Sequence, residues 1–528
     1  MTGNTRYTIR IALIVAVGGF LMGFDASVIS GVVTFIESEF ALSKLELGWA
    51  VASLTLTATV GMLFAGPLSD RLGRRPVLKV AAILFAVSAI ASAVAPGYAV
   101  LVAARMLGGL AVGAALIAAP MYIAEIASAE LRGRTVSFNQ LNIVIGITAA
   151  FFSNYVILKL GQTELPWAQA LKLGEWGWRW MLGIEALPAI VYFFALYAVP
   201  ESPRWLVMHG KDDDARQVLE KLGGKRQGAA DLEAVRSSLH AETNDVRAPF
   251  RELFRPGMKL VLTIGVSVAI LQQITGINAV FFYAPMIFEQ SGIGTDAAFM
   301  QAVLVGIVNL VFTILAIMLI DRLGRRPLLG FGLCGIAACM LLLSYSFGSA
   351  TYTLDSADVA ALPQEVDKAA LQPVIDRTFY SDVSFSQAVS AAVGDDVYQD
   401  RQSALVSRAI EMNPTVILVG ILGFVASFAI SVGPVMWVLF SELFPNRVRG
   451  LAISCVGFIN SAVSFTVQLL FPWELERIGN SGTFLIYGVF ALVGLVIVMR
   501  LLPETKGRSL EQLEAELVGH GADRGTED

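Results

Sequence analysis

The chain has 528 residues, of which 55% are hydrophobic and only 15% are charged, and its formal net charge is −5. Soluble domains average about 25% charged residues, so an ordinary soluble protein is excluded, and the lack of a basic surplus argues against a nucleic-acid partner. Residues 1–10 are polar, and the apolar run after them continues to about Val33. This run is longer than the apolar region of a cleaved signal and predicts a first membrane helix.

Twelve apolar segments follow one another along the chain, and each is long enough to cross a bilayer as a helix. We number them spans one to twelve. Their predicted limits are 11–34, 47–68, 77–96, 99–126, 136–158, 178–199, 257–288, 297–320, 327–347, 413–440, 450–471 and 481–502.

Two long polar segments interrupt this series. Residues 200–256, between spans six and seven, contain two stretches with helical spacing, Asp212–Leu222 and Asp231–His240, which predict short amphipathic helices. Residues 349–411, between spans nine and ten, are rich in acidic side chains. This second segment either packs as a small cap or stays mobile.

Basic residues predict the orientation of the chain in the membrane. They follow the even-numbered spans, on the side that also holds the N-terminus, and the positive-inside rule makes that side cytoplasmic. We therefore expect a multi-pass protein of the plasma membrane with both termini in the cytoplasm. The residues are Arg71, Arg74, Arg75, Arg132, Arg134, Arg322, Arg325, Arg326, Arg447, Arg449, Lys506 and Arg508.

Charged motifs on the same side occur twice, which predicts two related halves. The heptapeptide Asp-Arg-Leu-Gly-Arg-Arg-Pro begins at Asp70 and again at Asp321, and Pro200–Arg204 has a looser partner in Pro503–Gly507. A state-dependent charge network at the cytoplasmic helix ends is one interpretation, and positive-inside charges without a gating role are the other. The residues of the predicted network are Asp70, Arg74, Glu125, Arg132, Glu201, Arg204, Asp321, Arg325, Glu442, Arg449 and Glu504.

Together with Arg105–Gly109, Pro120–Glu125 and Gln272–Asn278, these motifs resemble the signature of the sugar porters of the major facilitator superfamily. The resemblance implies an all-α membrane protein with 12 transmembrane helices, arranged as two six-helix bundles related by a pseudo-twofold axis, plus short cytoplasmic helices. The expected division is an N-terminal bundle over 1–199, a cytoplasmic helical linker over 200–256, a C-terminal bundle over 257–510 with the extracellular loop 349–411, and a cytoplasmic tail over 511–528.

Neutral amides inside span seven are the candidate sugar ligands. Gln272, Gln273 and Asn278 would be spread around a regular helix, but a break near Gly276 would bring their side chains closer together. Amides that pair with backbone between helices are the alternative. The resemblance assigns these three residues to the sugar site, and it adds Gln140, Asn309, Trp437 and Asn460.

Asp25 is the candidate proton site. An acidic side chain in mid-span costs a few kcal/mol and usually has a partner, and Arg105 is the basic residue well inside a span of the N-terminal half. The resemblance implies proton coupling, because proton-coupled sugar symporters of the family carry an aspartate at this position. A structural ion pair that never titrates is the alternative.

We therefore expect a secondary active transporter that moves a hexose or pentose by alternating access in symport with a proton, acting as a monomer among membrane lipids. An uncoupled sugar uniporter, an inositol or polyol symporter and a non-transporting sugar receptor are the alternatives. Ile147 stands where the family's bacterial xylose carriers have a glutamine, and Met22 replaces an aromatic residue found in several members, so xylose itself is in doubt. We expect no enzymatic activity, catalytic residue, metal or cofactor.

Overall fold

The structure is a computed structural model of the whole chain. It describes the backbone of residues 3–127, 129–243, 250–255, 258–362, 366–445, 447–506, 508 and 512. It describes the side chains of the same residues apart from 3–5, 129–137, 225–226, 240–243, 321 and 400.

Within the described part of the chain, 12 helices are long and apolar enough to cross a membrane, so the predicted number of spans is confirmed. Spans one to six are Arg6–Gly31, Lys44–Leu72, Arg74–Ala93, Tyr98–Ile126, Phe138–Gly161 and Gly177–Ala198. Spans seven to twelve are Lys259–Glu289, Thr295–Ile320, Arg325–Gly348, Pro414–Leu443, Arg449–Arg477 and Gly479–Leu501. The helices of spans one, five and eight extend beyond these limits, as Gly3–Val28, Ala129–Gly161 and Thr295–Leu323. With an even number of spans, both termini share one side, which we call the inner side; the opposite side is the outer side.

Shorter elements connect the spans. On the inner side they are the helices Pro203–Met208, Asp212–Gly223 and Lys225–Thr243 and the 3₁₀ helix Phe250–Phe254, so the two predicted linker helices are confirmed. On the outer side they are the helices Val33–Glu39, Pro166–Ala170, Ser356–Ala360, Asp382–Val393 and Asp395–Ala409 and the antiparallel strands Thr351–Tyr352 and Ile410–Glu411.

Span seven is broken where the sequence predicts it. Its first helix ends at Ile274 and its second begins at Ile277, with Gly276 between them at a φ of +90°. A side chain here would also meet a neighbour, because a methyl group on Gly276 would lie 2.5 Å from Cδ2 of Tyr487. Glycine is therefore required both by the left-handed backbone and by the close approach of span twelve.

Span ten is also broken, at Ser431, shortly before Gly433 and Pro434. The first helix is Pro414–Ile430 and the second is Val432–Leu443, and Ser431 between them has φ −128° and ψ −93°. Pro434 has no N–H to donate to the carbonyl of Ile430, so the helix ends upstream of the proline rather than at it.

The chain divides into two compact units whose limits differ from the predicted domains. The first consists of residues 1–28, 53–150 and 179–248, and the second of residues 29–52, 151–178 and 249–528. The outer ends of spans one, two and five thus group with the sequence of the second half, because their side chains pack there.

The core of the first unit joins membrane and linker helices. Buried alanines and large apolar residues of spans one, three and four form one cluster. The apolar face of Asp212–Gly223, with Val218 and Leu219, belongs to the same cluster. The amphipathic linker helices therefore use their apolar stripe to cover the inner end of this unit.

The outer side of the second unit is closed by contacts between segments far apart in sequence. Lys159 Nζ lies 2.5 Å from Asp296 Oδ2, and Trp178 Nε1 donates to Glu39 at 2.5 Å. The turn Ile29–Gly31 packs on the second helix of span seven. These contacts join the outer end of span five to span eight, that of span six to the helix Val33–Glu39, and that of span one to span seven.

The described residues of the segment 349–411 fold into a cap with a core of its own, so the first of the two predicted alternatives for this loop is correct. Tyr352, Phe379 and Phe385 are buried together, and Tyr352 exchanges backbone hydrogen bonds of 2.9 Å with Phe379. A two-stranded pairing at the base of the cap closes the segment on itself.

Candidate functional site

Asp25 and Arg105 form a buried ion pair in the first unit, as their positions in spans one and four predict. Arg105 Nη1 donates to Asp25 Oδ1 and also to the backbone oxygen of Asp25, the latter at 3.0 Å. Asp25 is 1% exposed and Arg105 is 2% exposed. Such desolvated charges are stable only as a pair. Protonation of Asp25 would therefore remove the negative charge that stabilises the buried guanidinium of Arg105.

Glu185 is a third buried ionisable residue at this pair, and it was missing from the sequence prediction. It lies in span six, is 2% exposed and is close enough to interact electrostatically with both Asp25 and Arg105. Its Oε1 and Asp25 Oδ2 are buried without a hydrogen-bond partner among the described residues. The sequence did contain a sign of this role, because Glu185 is an isolated acidic residue within the apolar run 178–199.

Gly108 provides the space that Asp25 occupies, which makes the pair sensitive to one added methyl group. A methyl group on Gly108 would lie 2.5 Å from Asp25 Oδ2 and 2.6 Å from Ser88 Oγ.

Gly108→Ala is expected to lower the free energy of unfolding by about 1–3 kcal/mol and to reduce uptake, because the carboxylate of Asp25 must shift. The check is thermal unfolding of the purified protein. The control is Gly97→Ala, where no atom lies within 4 Å. Equal melting temperatures for the two variants would contradict this role of Gly108.

The amides of spans seven and eleven form one hydrogen-bonded cluster in the second unit. Gln273 Nε2 donates to Gln272 Oε1 and to Asn460 Oδ1, both at 3.2 Å. Across the helix break, Asn278 Nδ2 donates to Gln273 Oε1 at 2.8 Å. The break thus brings together the amides that a regular helix would separate. Asn278 Nδ2 also donates to Ser464 Oγ at 2.7 Å.

Backbone groups complete the cluster and connect it to the break in span ten. Asn460 Nδ2 donates to the backbone oxygen of Ala269 at 2.8 Å, and Gln272 Nε2 approaches the oxygen of Gly433 at 3.4 Å. Gln272, Gln273 and Asn460 are 6%, 8% and 7% exposed. The cluster is neutral, with both donors and acceptors, which suits an uncharged hydroxylated ligand.

Span eleven contributes more polar groups than were predicted. Ser464 and Gln468 follow Asn460 at intervals of four residues, and Gln468 Nε2 donates to Ser464 Oγ at 2.8 Å. Tyr283 in span seven donates to the backbone oxygen of Gln468 at 3.0 Å. Their four-residue spacing in an apolar helix could have predicted that Ser464 and Gln468 lie on the same face as Asn460.

Three other predicted ligands lie outside this hydrogen-bonded set. Asn309 is buried in span eight, and Trp437 is 47% exposed on the second helix of span ten, with its ring centroid 6.0 Å from that of Phe440. Gln140 is exposed on span five in the first unit. Their assignment to the sugar site stays a prediction.

The repeated motifs build a compact charge cluster at the inner side of the first unit. Arg74 Nε lies 3.0 Å from Glu125 Oε2, and Arg74 Nη2 lies 3.1 Å from Asp70 Oδ1. Glu201 Oε1 accepts from the backbone N–H groups of Arg74 and Ser202. Burial raises the pKa of Glu201, while these N–H groups oppose the rise.

The second unit contains the same arrangement. Arg325 Nη2 donates to Glu442 Oε1 at 2.7 Å, and Glu504 Oε1 accepts from the backbone N–H of Arg325 at 3.0 Å. Thr505 donates to Glu442 as Ser202 donates to Glu125. The loose match between Pro200–Arg204 and Pro503–Gly507 therefore corresponds to a close structural repeat.

The remaining members of the predicted network are placed as follows. Arg449 Nε donates to the backbone oxygen of Phe444 at 3.0 Å, and Arg204 lies on the helix Pro203–Met208. The side chains of Arg132 and Asp321 lie outside the described residues. Among the side chains that are described, no group of three His, Cys, Asp or Glu could hold a metal ion.

Known proteins resemble this chain over nearly its whole length. The profile of the family described as "Sugar (and other) transporter" matches residues 11–362 and 394–517. The chain is 32% identical over 508 residues to the arabinose-proton symporter of Bacillus subtilis (strain 168), covering 96% of this chain and 94% of that protein. It is 34% identical over 546 residues to the D-xylose-proton symporter of Escherichia coli (strain K12), covering 97% and 96%.

A solved structure gives the same result. The chain resembles the inward-open conformation of the xylose transporter XylE from E. coli with a TM-score of 0.73 at 31% sequence identity, covering 97% of this chain and 100% of that one. The likeness extends over all twelve spans and is not confined to one half.

Proposed function

The chain belongs to the sugar transporter family of the major facilitator superfamily, and we propose that it moves a monosaccharide together with a proton across the plasma membrane by alternating access. The family is one of transporters, and the relatives named above are proton symporters of pentoses. We extend the proposal to a monomeric protein with both termini in the cytoplasm and no enzymatic activity.

Proton coupling is supported by the presence of two different groups of buried polar residues, an ion pair and a neutral amide cluster. The buried carboxylate of Asp25 faces Arg105, so it can exchange a proton only when water reaches the pair. The amide cluster around Gln273 carries no ionisable group. One group of residues thus suits a proton, and another suits a neutral hydroxylated molecule.

Two features support alternating access. Spans seven and ten are each broken next to the amide cluster, and such breaks allow half-helices to move on their own. In addition, Lys159 pairs with Asp296 on the outer side of the second unit, a partly exposed contact that can separate without great cost. We propose that the inner charge clusters, centred on Arg74 and Arg325, act as further state-dependent contacts.

The test is sugar-driven proton movement in proteoliposomes with a pH-sensitive dye inside. Addition of a transported sugar outside is expected to acidify the lumen, because the sugar gradient draws protons inward. A panel of hexoses, pentoses and inositols identifies the substrate. Sugar flux without acidification would show an uncoupled uniporter, and binding without flux would show a receptor. Either result would overturn the proposal.

A further inference from the structure

A cavity of about 200 Å³ lies between the cap, residues 349–411, and the outer ends of spans seven, eleven and twelve. At about 30 Å³ per water molecule, this volume holds on the order of six waters, about the bulk of one monosaccharide. Several of its lining side chains carry hydroxyl or amide groups. They include Gln290, Ser386, Tyr398, Gln399, Gln402 and Asn480.

The walls of the cavity are fixed relative to each other. Asp382 of the cap accepts hydrogen bonds from the backbone N–H of Asn480 at 2.7 Å and from its Nδ2 at 2.8 Å. Gly479 allows this approach, because a methyl group there would lie 2.6 Å from Asp382 Oδ1. On the cap side, Phe385 is part of the buried core. The cavity is therefore a built feature of the second unit rather than a gap beside a loose loop.

Two acceptors in the lining need a donor. Asn480 is 4% exposed, and its Oδ1 is buried without a hydrogen-bond partner among the described residues. The same holds for Oε1 of Gln290 at the end of span seven. Both residues line the cavity, and their amides keep a hydrogen-bonding capacity that the described residues do not use.

The rest of the lining favours a neutral ligand with several hydroxyl groups. Tyr398 interacts with Ser386 and Gln402, and burial raises the pKa of Tyr398 to about 12, so the phenol remains a neutral donor. The charged side chains of the lining have partners within the protein. Lys44 pairs with Glu37, Asp382 accepts from Asn480, Asp395 accepts from Ser390, and Glu476 pairs with Arg477. Recognition would therefore depend on hydrogen bonds rather than on net charge.

We propose that this cavity is a second binding site, which takes one neutral polyhydroxylated molecule, a monosaccharide or a cyclic polyol, on the outer side of the protein. Apolar lining from Met286, Phe385 and Pro472 provides a surface for the C–H groups of such a ligand. The site does not include the amide cluster around Gln273. Its occupation would therefore not require transport.

The test uses a cysteine reporter in the full chain, purified in lipid nanodiscs so that both faces are accessible. Ser386→Cys and, independently, Gln399→Cys are labelled with a water-soluble maleimide, with D-glucose, D-xylose or myo-inositol as probe. A bound probe at ten times its Kd is expected to slow labelling about tenfold, because it leaves about one site in eleven free. Glycine betaine at equal osmolarity is the solution control.

Two further variants make the result specific. Gln372→Cys, on the exposed surface of the cap, is expected to label at the same rate with and without a probe. The unmodified chain, whose cysteines Cys334, Cys339 and Cys455 lie within spans nine and eleven, gives the background. Each reporter is also combined with Gln273→Ala, and protection is expected to persist in that background.

The outcomes separate this site from the proposed transport function. Failure of all three probes to protect either reporter would overturn the second site. Protection that disappears with Gln273→Ala would also overturn it, because labelling would then report gating driven from the amide cluster. Protection in a protein that transports no sugar of the full panel of hexoses, pentoses and inositols would uphold the site and contradict the proposed transport.

Discussion

Asp25→Asn is expected to abolish the accumulation of sugar against its gradient while leaving sugar exchange in place. A pH difference of one unit supplies about 1.4 kcal/mol, enough for about tenfold accumulation at one proton per sugar. Asparagine cannot ionise, so the proton gradient no longer drives transport and the ratio falls to about one. The measurement is uptake under an imposed pH gradient, compared with counterflow at equal pH.

Exchange should survive because Arg105 keeps other partners in the variant. Its Nη1 also donates to the backbone oxygen of Asp25, which the substitution retains, and Glu185 interacts electrostatically with it. Asparagine has the shape of the protonated aspartic acid, so the protein can still pass between its states. Glu185→Gln combined with Asp25→Asn removes this remaining carboxylate and is expected to impair exchange as well.

The matched control is Asp213→Asn, which neutralises an exposed carboxylate on an inner-side helix. This variant should accumulate sugar as the unmodified chain does. If Asp25→Asn still accumulates sugar against its gradient with an unchanged pH dependence, Asp25 does not carry the proton. Its pair with Arg105 would then be purely structural.

The features that could be predicted from the sequence are those that the bilayer enforces locally. Apolar runs of sufficient length gave the twelve spans, because an unpaired backbone is too costly in lipid for other structures. The break at Gly276 was predicted because glycine allows a helix to be interrupted and an interruption there brings the amides of span seven closer together. The ion pair of Asp25 and Arg105 followed from the cost of leaving either charge alone in the membrane.

The features that could not be predicted depend on how distant helices pack. Glu185 is 160 residues from Asp25, and hydropathy does not reveal which face of span six meets span one. The cap had no apolar periodicity that distinguished it from a mobile loop, and its core joins residues from Ala350 to Ala409. The break in span ten lies at Ser431, because the missing N–H of Pro434 leaves the carbonyl of Ile430 without its helical partner.

Gln273→Ala is expected to raise the KM for sugar about 10- to 100-fold, because Gln273 is the residue through which the amide cluster is connected. Its side chain bonds to Gln272, Asn460 and Asn278. Its removal leaves buried polar groups unpaired, at about 1–3 kcal/mol each, and a factor of ten in affinity corresponds to about 1.4 kcal/mol. The measurement is concentration-dependent uptake of one labelled sugar.

A role in binding, rather than only in stability, is separated by competition. Unlabelled sugars that differ in one hydroxyl group should change their order of potency in Gln273→Ala, because a ligand hydroxyl that met this amide loses its partner. The control is Asn142→Ala in span five, whose amide donates to the backbone oxygen of Phe138 in its own helix at 2.8 Å. A lower melting temperature with an unchanged order of potency would mean that Gln273 supports the helix break and does not contact sugar. In that case Asn278 and Asn460, which remain bonded to Ser464 and Ala269, would be the next residues to test as ligands.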